Sequence, residues 1–540
     1  MTDKHKMNIV DRVGFDCPGA REIEFEVPHR YNASEVLFNN LDQGRGDNIA
    51  ILSDSGNVTY QDLCATANQC GNALHNQSVA PFSRIVMVLE DTPIYPAAIF
   101  GAIRAGYVPV LINTQSTSDL VSYYVGDAGA EIVIIEAELC HLISEQAVRG
   151  SSLRLIVVAN GPLPDNLPVD AILWEDWIGT ASDQLNAADT HRNDMAFWMY
   201  SSGTTGKPKG IVHLQHDVPY IQASYGKQIL EITENDICFS PPKIFFAYGF
   251  GNSIVFPFSV GASVVLAAER PVPDGIFDQI KRFRPTLFFG LPTLYNGLMN
   301  SKACEQGDFS SVRMCLSAAE TLAADLFLAW RKRFGFEIIE GLGSTEILHI
   351  YLSNTHSNKR PGAAGLRVPG FEVKLLDADN QPVAKGEGGI LWVRGVSSAP
   401  CYWNKPEKTA ETMRDDWLYT GDRFRQDEDG FYYFQGRADD LIKVSGQWVY
   451  PMEVEHCLAD HPAIRECAVM AHSLEDNRMT LKAYVVLADG NAPNEDTTRD
   501  LQNFVKSRLV SFKYPRFVDY LPELPKTGTG KIDRQKLLKN

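Results

Sequence analysis

The run Tyr200-Ser201-Ser202-Gly203-Thr204-Thr205-Gly206-Lys207-Pro208-Lys209-Gly210 concentrates what phosphate binding requires. Its glycines permit backbone conformations that turn successive N–H groups inward, and such concavities attract anions. The hydroxyls of Ser201, Ser202, Thr204 and Thr205 and the ammonium groups of Lys207 and Lys209 add further donors for oxyanions. The apolar stretch Met195-Ala196-Phe197-Trp198-Met199 runs straight into it, so a strand is expected to deliver the loop. Lys207 is followed by Pro208, so the pattern GxxxxGK[ST] is absent and a P-loop nucleotide hydrolase is disfavoured. A solvated Ser/Thr/Gly turn has the same composition, and the choice between the two rests on the rest of the chain.

Residues 84–113 set the architecture that must hold such a loop. Arg84–Leu89 is a short apolar run of the kind a fully buried strand shows, Pro93–Ala105 has helical spacing, and Val108–Ile112 is a second apolar run. Together they form a βαβ unit. Buried-strand runs recur at Glu131–Ile135, Arg154–Ala159, Thr286–Phe289, Val312–Leu316 and Glu337–Ile339, so the expected class is α/β with parallel sheets. Beyond about residue 370, shorter turn-punctuated strands at Glu372–Leu376, Gly389–Val393 and Gly430–Phe434 predict a small antiparallel or barrel-like sheet. Glu466–Ala471 and Leu481–Leu487 read as strands and Thr497–Val510 as an amphipathic helix, a small mobile α+β module at the C-terminus.

At 540 residues the chain exceeds one ordinary domain, and its hydrophobic and charged fractions of 44% and 22% match a globular enzyme. The net charge of −17 argues against a nucleic-acid or anionic-membrane partner. The ten cysteines include no CxxC pair and read as core thiols in a reducing compartment. The first thirty residues lack an apolar core, so no secretory signal is expected and the chain reads as cytosolic. One uncharged stretch, Ile244–Ala268, has the length of a membrane span, but Gly249, Gly251, Asn252, Pro257 and Gly261 suit a turn between buried strands better.

Four further motifs follow the phosphate run in a fixed order: Gly341-Leu342-Gly343-Ser344-Thr345-Glu346, Tyr419-Thr420-Gly421-Asp422, Gly436-Arg437-Ala438-Asp439-Asp440-Leu441-Ile442-Lys443-Val444-Ser445-Gly446, and Pro525-Lys526-Thr527-Gly528-Thr529-Gly530-Lys531. The set resembles the adenylate-forming superfamily, which includes acyl-CoA synthetases, nonribosomal-peptide adenylation domains and firefly luciferase. The resemblance implies a large N-terminal adenylation domain of layered α/β subdomains over residues 1–436 and a mobile C-terminal domain over residues 437–540, hinged near Asp439. It implies ATP, Mg²⁺ and coenzyme A as co-substrates. Thr345 would hydrogen-bond the α-phosphate and Glu346 would ligate Mg²⁺, a hard cation that takes oxygen ligands. Gly341, Leu342, Gly343 and Ser344 would belong to the same nucleotide site. Ala318, Ala319 and Glu320, following Ser317, would border the adenine. Asp422 would accept hydrogen bonds from the ribose hydroxyls, with Phe434 and Arg437 beside the same sugar. Lys531 would bridge the attacking carboxylate and the α-phosphate, neutralising charge where it develops. In a second arrangement of the C-terminal domain, Lys443, Ser445 and Gly446 would face the CoA pantetheine.

A narrower resemblance concerns the acid. Lys243–Gly251 and Ile347–Asn354, with Arg284–Thr293, look like the benzoate–CoA ligase subgroup. Ala247 beside Tyr248 would open a flat aryl slot that Gly343, His349 and Ile350 complete, whereas Phe245, Phe246 and Phe250 read as core residues of a buried strand. Two departures stand out: Ala319 where the subgroup pattern has glycine, and Trp448 with Tyr450 after the hinge. The expected activity is an ATP-dependent aryl carboxylate–CoA ligase acting on benzoate or a related aromatic or heteroaromatic acid, as a monomer or homodimer. A stand-alone enzyme loading an aryl acid onto a separate carrier protein would share every motif, and a non-catalytic nucleotide-binding scaffold is the remaining rival.

Overall fold

A computed structural model describes residues 18–203, 206–320, 322–438, 442–444, 447–449, 451–474, 479–526 and 532–537. The chain divides into two compact units, Met1–Val373 with Val393–Tyr419, and Lys374–Trp392 with Thr420–Asn540.

Two large sheets build the first unit. The seven-stranded sheet runs in the order Asp170–Leu173, Leu155–Ala159, Ile132–Glu136, Arg84–Val88, Val108–Leu111, Met195–Gly203, Gly206–Leu214. Its strands are parallel up to Met195–Gly203, which turns back antiparallel on Gly206–Leu214. Every residue of Arg84–Val88, Val108–Leu111 and Ile132–Glu136 is buried, because helices such as Ile94–Arg104 cover the sheet. That double coverage is why these strands are continuous apolar runs between Arg84 at one start and Glu136 at another end, instead of alternating.

The nine-stranded sheet has a parallel centre, in the order Ile338–Gly343, Met314–Ser317, Leu287–Gly290, Ile237–Phe239, Ser263–Val265, Ile49–Leu52, with antiparallel strands at both edges. Aromatic side chains fill the layer behind it, Phe288, Tyr295, Phe309 and Trp330 among them. In open parallel sheets, ligands bind beyond the carboxyl ends of the strands. Ser317, Gly343 and the segment after Phe239 all lie at such ends.

The stretch Ile244–Ala268 corrects a sequence expectation. It is neither a turn nor a membrane span but a buried helix of three joined segments, Ala247–Phe250, Gly251–Val255 and Phe256–Val260, followed by the strand Ser263–Val265. Gly249 and Gly251 permit close packing within it: a Cβ on Gly249 would lie 2.0 Å from the Lys243 carbonyl oxygen, and one on Gly251 would lie 2.3 Å from the His349 ring. Phe245 and Phe250 are core residues as expected, though neither lies on a strand. Among the described residues no helix is long and apolar enough to cross a membrane. All described cysteines are buried except Cys467, which is half-buried.

The strand Trp417–Gln426, which enters the second unit at Thr420, pairs antiparallel with Tyr432–Arg437 there, with Asp422 opposite Arg437. A three-stranded sheet, Ile464–Ser473, Met479–Leu487 and Phe517–Tyr520, carries the helices Pro451–Ala459 and Glu495–Arg508 over a core of Val454, Leu458, Val469, Leu481, Leu501 and Val505.

Candidate active site

The phosphate run is the tip of a β-hairpin. Tyr200 pairs with Gly210, Ser201 with Lys209 and Gly203 with Gly206, so the strand expected before the loop is joined by a second one after it. Thr204 and Thr205 lie outside the described residues, and Ser202 and Gly203 are described through their backbone alone. The Tyr200 hydroxyl donates to Asp127 Oδ2 at 2.8 Å, which anchors the base of the hairpin.

The motif 341–346 begins on the last residues of the strand Ile338–Gly343 and continues into a tight 3₁₀ turn, Thr345–Ile347. A Cβ at Gly343 would lie 2.4 Å from the His349 carbonyl oxygen, so only glycine lets the two limbs of this turn approach so closely. The turn is tied from outside: Ala399 N donates to the Glu346 carbonyl at 2.7 Å and Ser397 Oγ to the Ile347 carbonyl at 2.8 Å. The hydroxyl of Tyr402 donates to Glu346 Oε1 at 2.8 Å, and the ammonium of Lys209 sits 4.1 Å from the centre of the Tyr402 ring. Tyr402 therefore links the phosphate hairpin to the acidic motif, a role the sequence reading did not give it. Nothing near Tyr402 in sequence signals this, because its partners lie 56 and 193 residues away.

Ser317 and Glu340 stand opposite one another on neighbouring strands, which brings the segment 317–320 beside the start of the acidic motif. Ala318 is buried. Ala319 adopts φ +70°, a left-handed conformation that accounts for the glycine of the subgroup pattern at this place. Glu320 uses its carboxylate on a helix start, accepting from Thr293 Oγ1 at 2.6 Å. The hydroxyls of Ser201, Ser317 and Ser344 are buried and have no hydrogen-bond partner among the described residues. Unpaired buried donors are costly unless something accepts from them, and a ligand rich in oxyanions suits them.

The proposed aryl slot assembles around His349. Its ring is buried and lies 5.6 Å from Tyr248, 5.0 Å from Tyr225 and 4.7 Å from Phe256, centre to centre. Burial lowers its pKa to about 3, so it is a neutral ring. Ala247 is buried on the same helix as Tyr248, and Ile350 packs over Gly341. The helix is anchored at its start by Lys243, whose Nζ donates to the carbonyls of Ala267 and Ala268 at 2.7 and 2.9 Å. The first unit thus holds the residues expected on the phosphate, adenine and aryl sides, on two sheets that Tyr402 and Glu346 connect.

The second unit holds the other group by itself. Arg437 Nη1 donates to Asp422 Oδ1 at 2.9 Å and to the Thr420 carbonyl at 3.1 Å, and Phe434 packs on Phe424 at 5.2 Å. Lys443 lies on the strand Ile442–Val444, described through its backbone alone. Asp439, Ser445, Gly446 and Lys531 lie outside the described residues. On either side of residues 527–531, Lys526 pairs with Ile532, and Arg534 donates to both carboxylate oxygens of Glu455 at 2.8 and 2.9 Å.

Residues 38–403 match the model of the AMP-binding enzyme family, and residues 453–531 match that of the AMP-binding enzyme C-terminal domain. The chain belongs to this adenylate-forming family. It is 40% identical over 515 residues to the benzoate–CoA ligase of Thauera aromatica, covering 95% of this chain and 96% of that one. Among solved structures it resembles an anthranilate CoA ligase in complex with anthranoyl-AMP, with TM-score 0.88 and 37% identity over 95% of this chain and 98% of that one. It also resembles a benzoate CoA ligase from Burkholderia xenovorans LB400, with TM-score 0.85 and 38% identity over 94% and 99%. Within the family this chain falls in the benzoate–CoA ligase subgroup.

Proposed function

We infer that this family member is an aryl carboxylate–CoA ligase that forms AMP and diphosphate. The observation that carries the reading is the neutral ring of His349, packed against Tyr248 and lying four residues after Thr345 and three after Glu346; an aryl acid bound beside these rings would present its carboxylate toward the phosphate residues. Relatives named as benzoate, hydroxybenzoate and anthranilate CoA ligases support it.

In the first half-reaction the carboxylate oxygen attacks the α-phosphorus and diphosphate leaves, giving an acyl-adenylate. In the second, the CoA thiol attacks the acyl carbon and AMP leaves. The hairpin amides, Ser201 and Lys209 hold phosphate oxygens, and the Thr345 hydroxyl orients the α-phosphate. Among the described residues no cluster of three His, Cys, Asp or Glu side chains forms a metal cage. A single carboxylate suits Mg²⁺ in the company of nucleotide phosphates, so Glu346, oriented by Tyr402, would hold it and the ion would offset phosphate charge. Lys531 supplies the positive charge between carboxylate and phosphate, and Lys443, Ser445 and Gly446 contribute to the CoA side.

The test is purified enzyme with ATP, Mg²⁺ and CoA against benzoate, 2-aminobenzoate, 4-hydroxybenzoate, 2-furoate, cyclohexanecarboxylate, hexanoate and acetate, read by AMP release and thioester mass. An aryl-CoA product is expected. Adenylate without thioester would mean carrier loading instead, and silence on every acid would overturn the reading of the slot.

A further inference from the structure

Behind the turn that carries Thr345 lies a buried ionisable group. His213, near the end of the strand Gly206–Leu214, places Nε2 2.8 Å from the Thr345 carbonyl oxygen and Nδ1 2.9 Å from Asp217 Oδ2. Asp217 Oδ2 also accepts from Leu214 N at 3.0 Å, and its Oδ1 lies 3.0 Å from His216 Nδ1. The side chains of all three are completely buried. Phe197 stacks on the His213 ring at 5.1 Å with 23° between the planes.

The chemistry of these partners fixes the ring. A carbonyl only accepts, so Nε2 donates to Thr345, and the carboxylate on the other side accepts from Nδ1. The two histidines hold the Asp217 carboxyl below the usual carboxylate range against the effect of burial, which keeps it an acceptor. A buried carboxylate that orients an imidazole toward a third group sets that group's position with little freedom. The third group here is under tension. The Thr345 carbonyl also accepts from Leu348 N at 3.0 Å, closing a turn that forces Leu348 to φ +75°, a conformation that side-chain-bearing residues avoid. With Ala399 holding the Glu346 carbonyl and Ser397 that of Ile347, His213 completes a set in which three successive carbonyls of the strained turn are pinned from neighbouring segments.

We propose that His213, aligned by Asp217, is a positioning residue for α-phosphate recognition: it does not touch the nucleotide but holds the Thr345 turn so that the hydroxyl meets the phosphate. The proposal rests on the nucleotide role given to Thr345 above.

Calorimetric binding of AMP and of adenosine to the full-length enzyme tests it, because only AMP carries the α-phosphate. Wild type is expected to bind AMP more tightly than adenosine. His213→Phe keeps the stack on Phe197 and removes the donor, and should weaken AMP about tenfold, the scale of one buried hydrogen bond, with adenosine unchanged within about twofold. His213→Gln, whose amide nitrogen reaches the place of Nε2, should recover AMP affinity to within about threefold. In turnover, His213→Phe should lower kcat for adenylation while leaving KM for the acid unchanged. An AMP affinity unmoved in His213→Phe, or equal losses for AMP and adenosine, would overturn the proposal. Should the phenylalanine variant not fold, Asp217→Asn decides, and unchanged AMP affinity there overturns it equally. A wild type that does not distinguish AMP from adenosine would overturn the role of Thr345, and the proposal with it, even where aryl-CoA formation stands.

Discussion

Gly251 and His349 form the tightest contact of the proposed slot. A methyl group at Gly251 would sit 2.3 Å from His349 Cδ2 and 2.6 Å from Nε2, and Phe256 closes the same side, so the ring must turn or the helix must shift. Overpacking of this kind typically costs about 1–3 kcal/mol. Gly251→Ala is therefore expected to raise KM for the aryl acid about tenfold or more while AMP affinity stays within about twofold of wild type, measured by initial rates and calorimetry. Equal losses on both ligands would mean that the helix holds the fold and does not shape the slot. Residue type alone did not expose this contact. Gly249 and Gly251 look like turn punctuation in the sequence, and their purpose shows only when Lys243 and His349 are brought against them. The buried trio His213, His216 and Asp217 was passed over for the same reason, since its acceptor lies 132 residues away.

At the scale of elements, the parallel strands were legible because a strand covered on both faces must be apolar throughout, and no other constraint competes with that pattern. The three-part helix 247–260 was not, because its glycines serve packing and override local propensity. The strand Ile338–Gly343 and the turn after it make two predictions. The first is conformational. Ala319 holds φ +70° at the end of the neighbouring strand, where a Cβ costs about 1 kcal/mol, and it is exposed, so no packing is lost on its removal. Ala319→Gly should raise the denaturant-unfolding free energy by about 0.5–1 kcal/mol, and a loss of stability would show that the left-handed backbone is relaxed at this site. The second concerns pH. Burial raises Glu340 to about 8, so the folded chain binds more protons than the unfolded one between about 4.5 and 8, and stability falls as pH rises through that window. His349, lowered to about 3 by burial, acts oppositely between about 3 and 6.5: there the unfolded chain binds more protons and stability rises with pH. Glu340→Gln keeps an acceptor for Leu322 N, which lies 3.0 Å from Oε1, and should gain on wild type as pH goes from 6.5 to 8, by about 1.5–2 kcal/mol. A constant difference across those pH values would place the Glu340 proton elsewhere.

For the whole molecule, the proposed chemistry is divided between two compact units. The first carries the phosphate hairpin, the Thr345–Glu346 turn and the aryl slot, and the second carries Asp422, Phe434 and Arg437 with the segment around Lys531. The sequence expectation draws one boundary at residues 436–437, with Asp422 and Phe434 in the first domain, because motif order marks the hinge and nothing in the strands of the small sheet marks a change of unit. The compact units instead divide inside Glu372–Leu376, Gly388–Arg394 and Trp417–Gln426, which puts both residues in the second. Two half-reactions with different needs follow from the proposed activity. Adenylation needs a cation at the phosphate, and thioester formation needs room for a thiol at the acyl carbon, so the proposed reading gives Lys531 two arrangements. A hinge at Asp439 would let the C-terminal residues exchange roles, provided that its φ and ψ are free to change. Proline fixes φ near −65° and so removes that freedom. Asp439→Pro is expected to leave diphosphate release from ATP and acid within about threefold of wild type while thioester formation from preformed acyl-adenylate falls about a hundredfold or more. Lys531→Ala should do the reverse, losing diphosphate release and keeping the thioester step, because the carboxylate and α-phosphate then meet without an intervening charge. Both steps can be followed on the same preparations by diphosphate release and by thioester mass. If each variant loses both steps alike, Asp439 is not a hinge and a single arrangement carries the whole reaction.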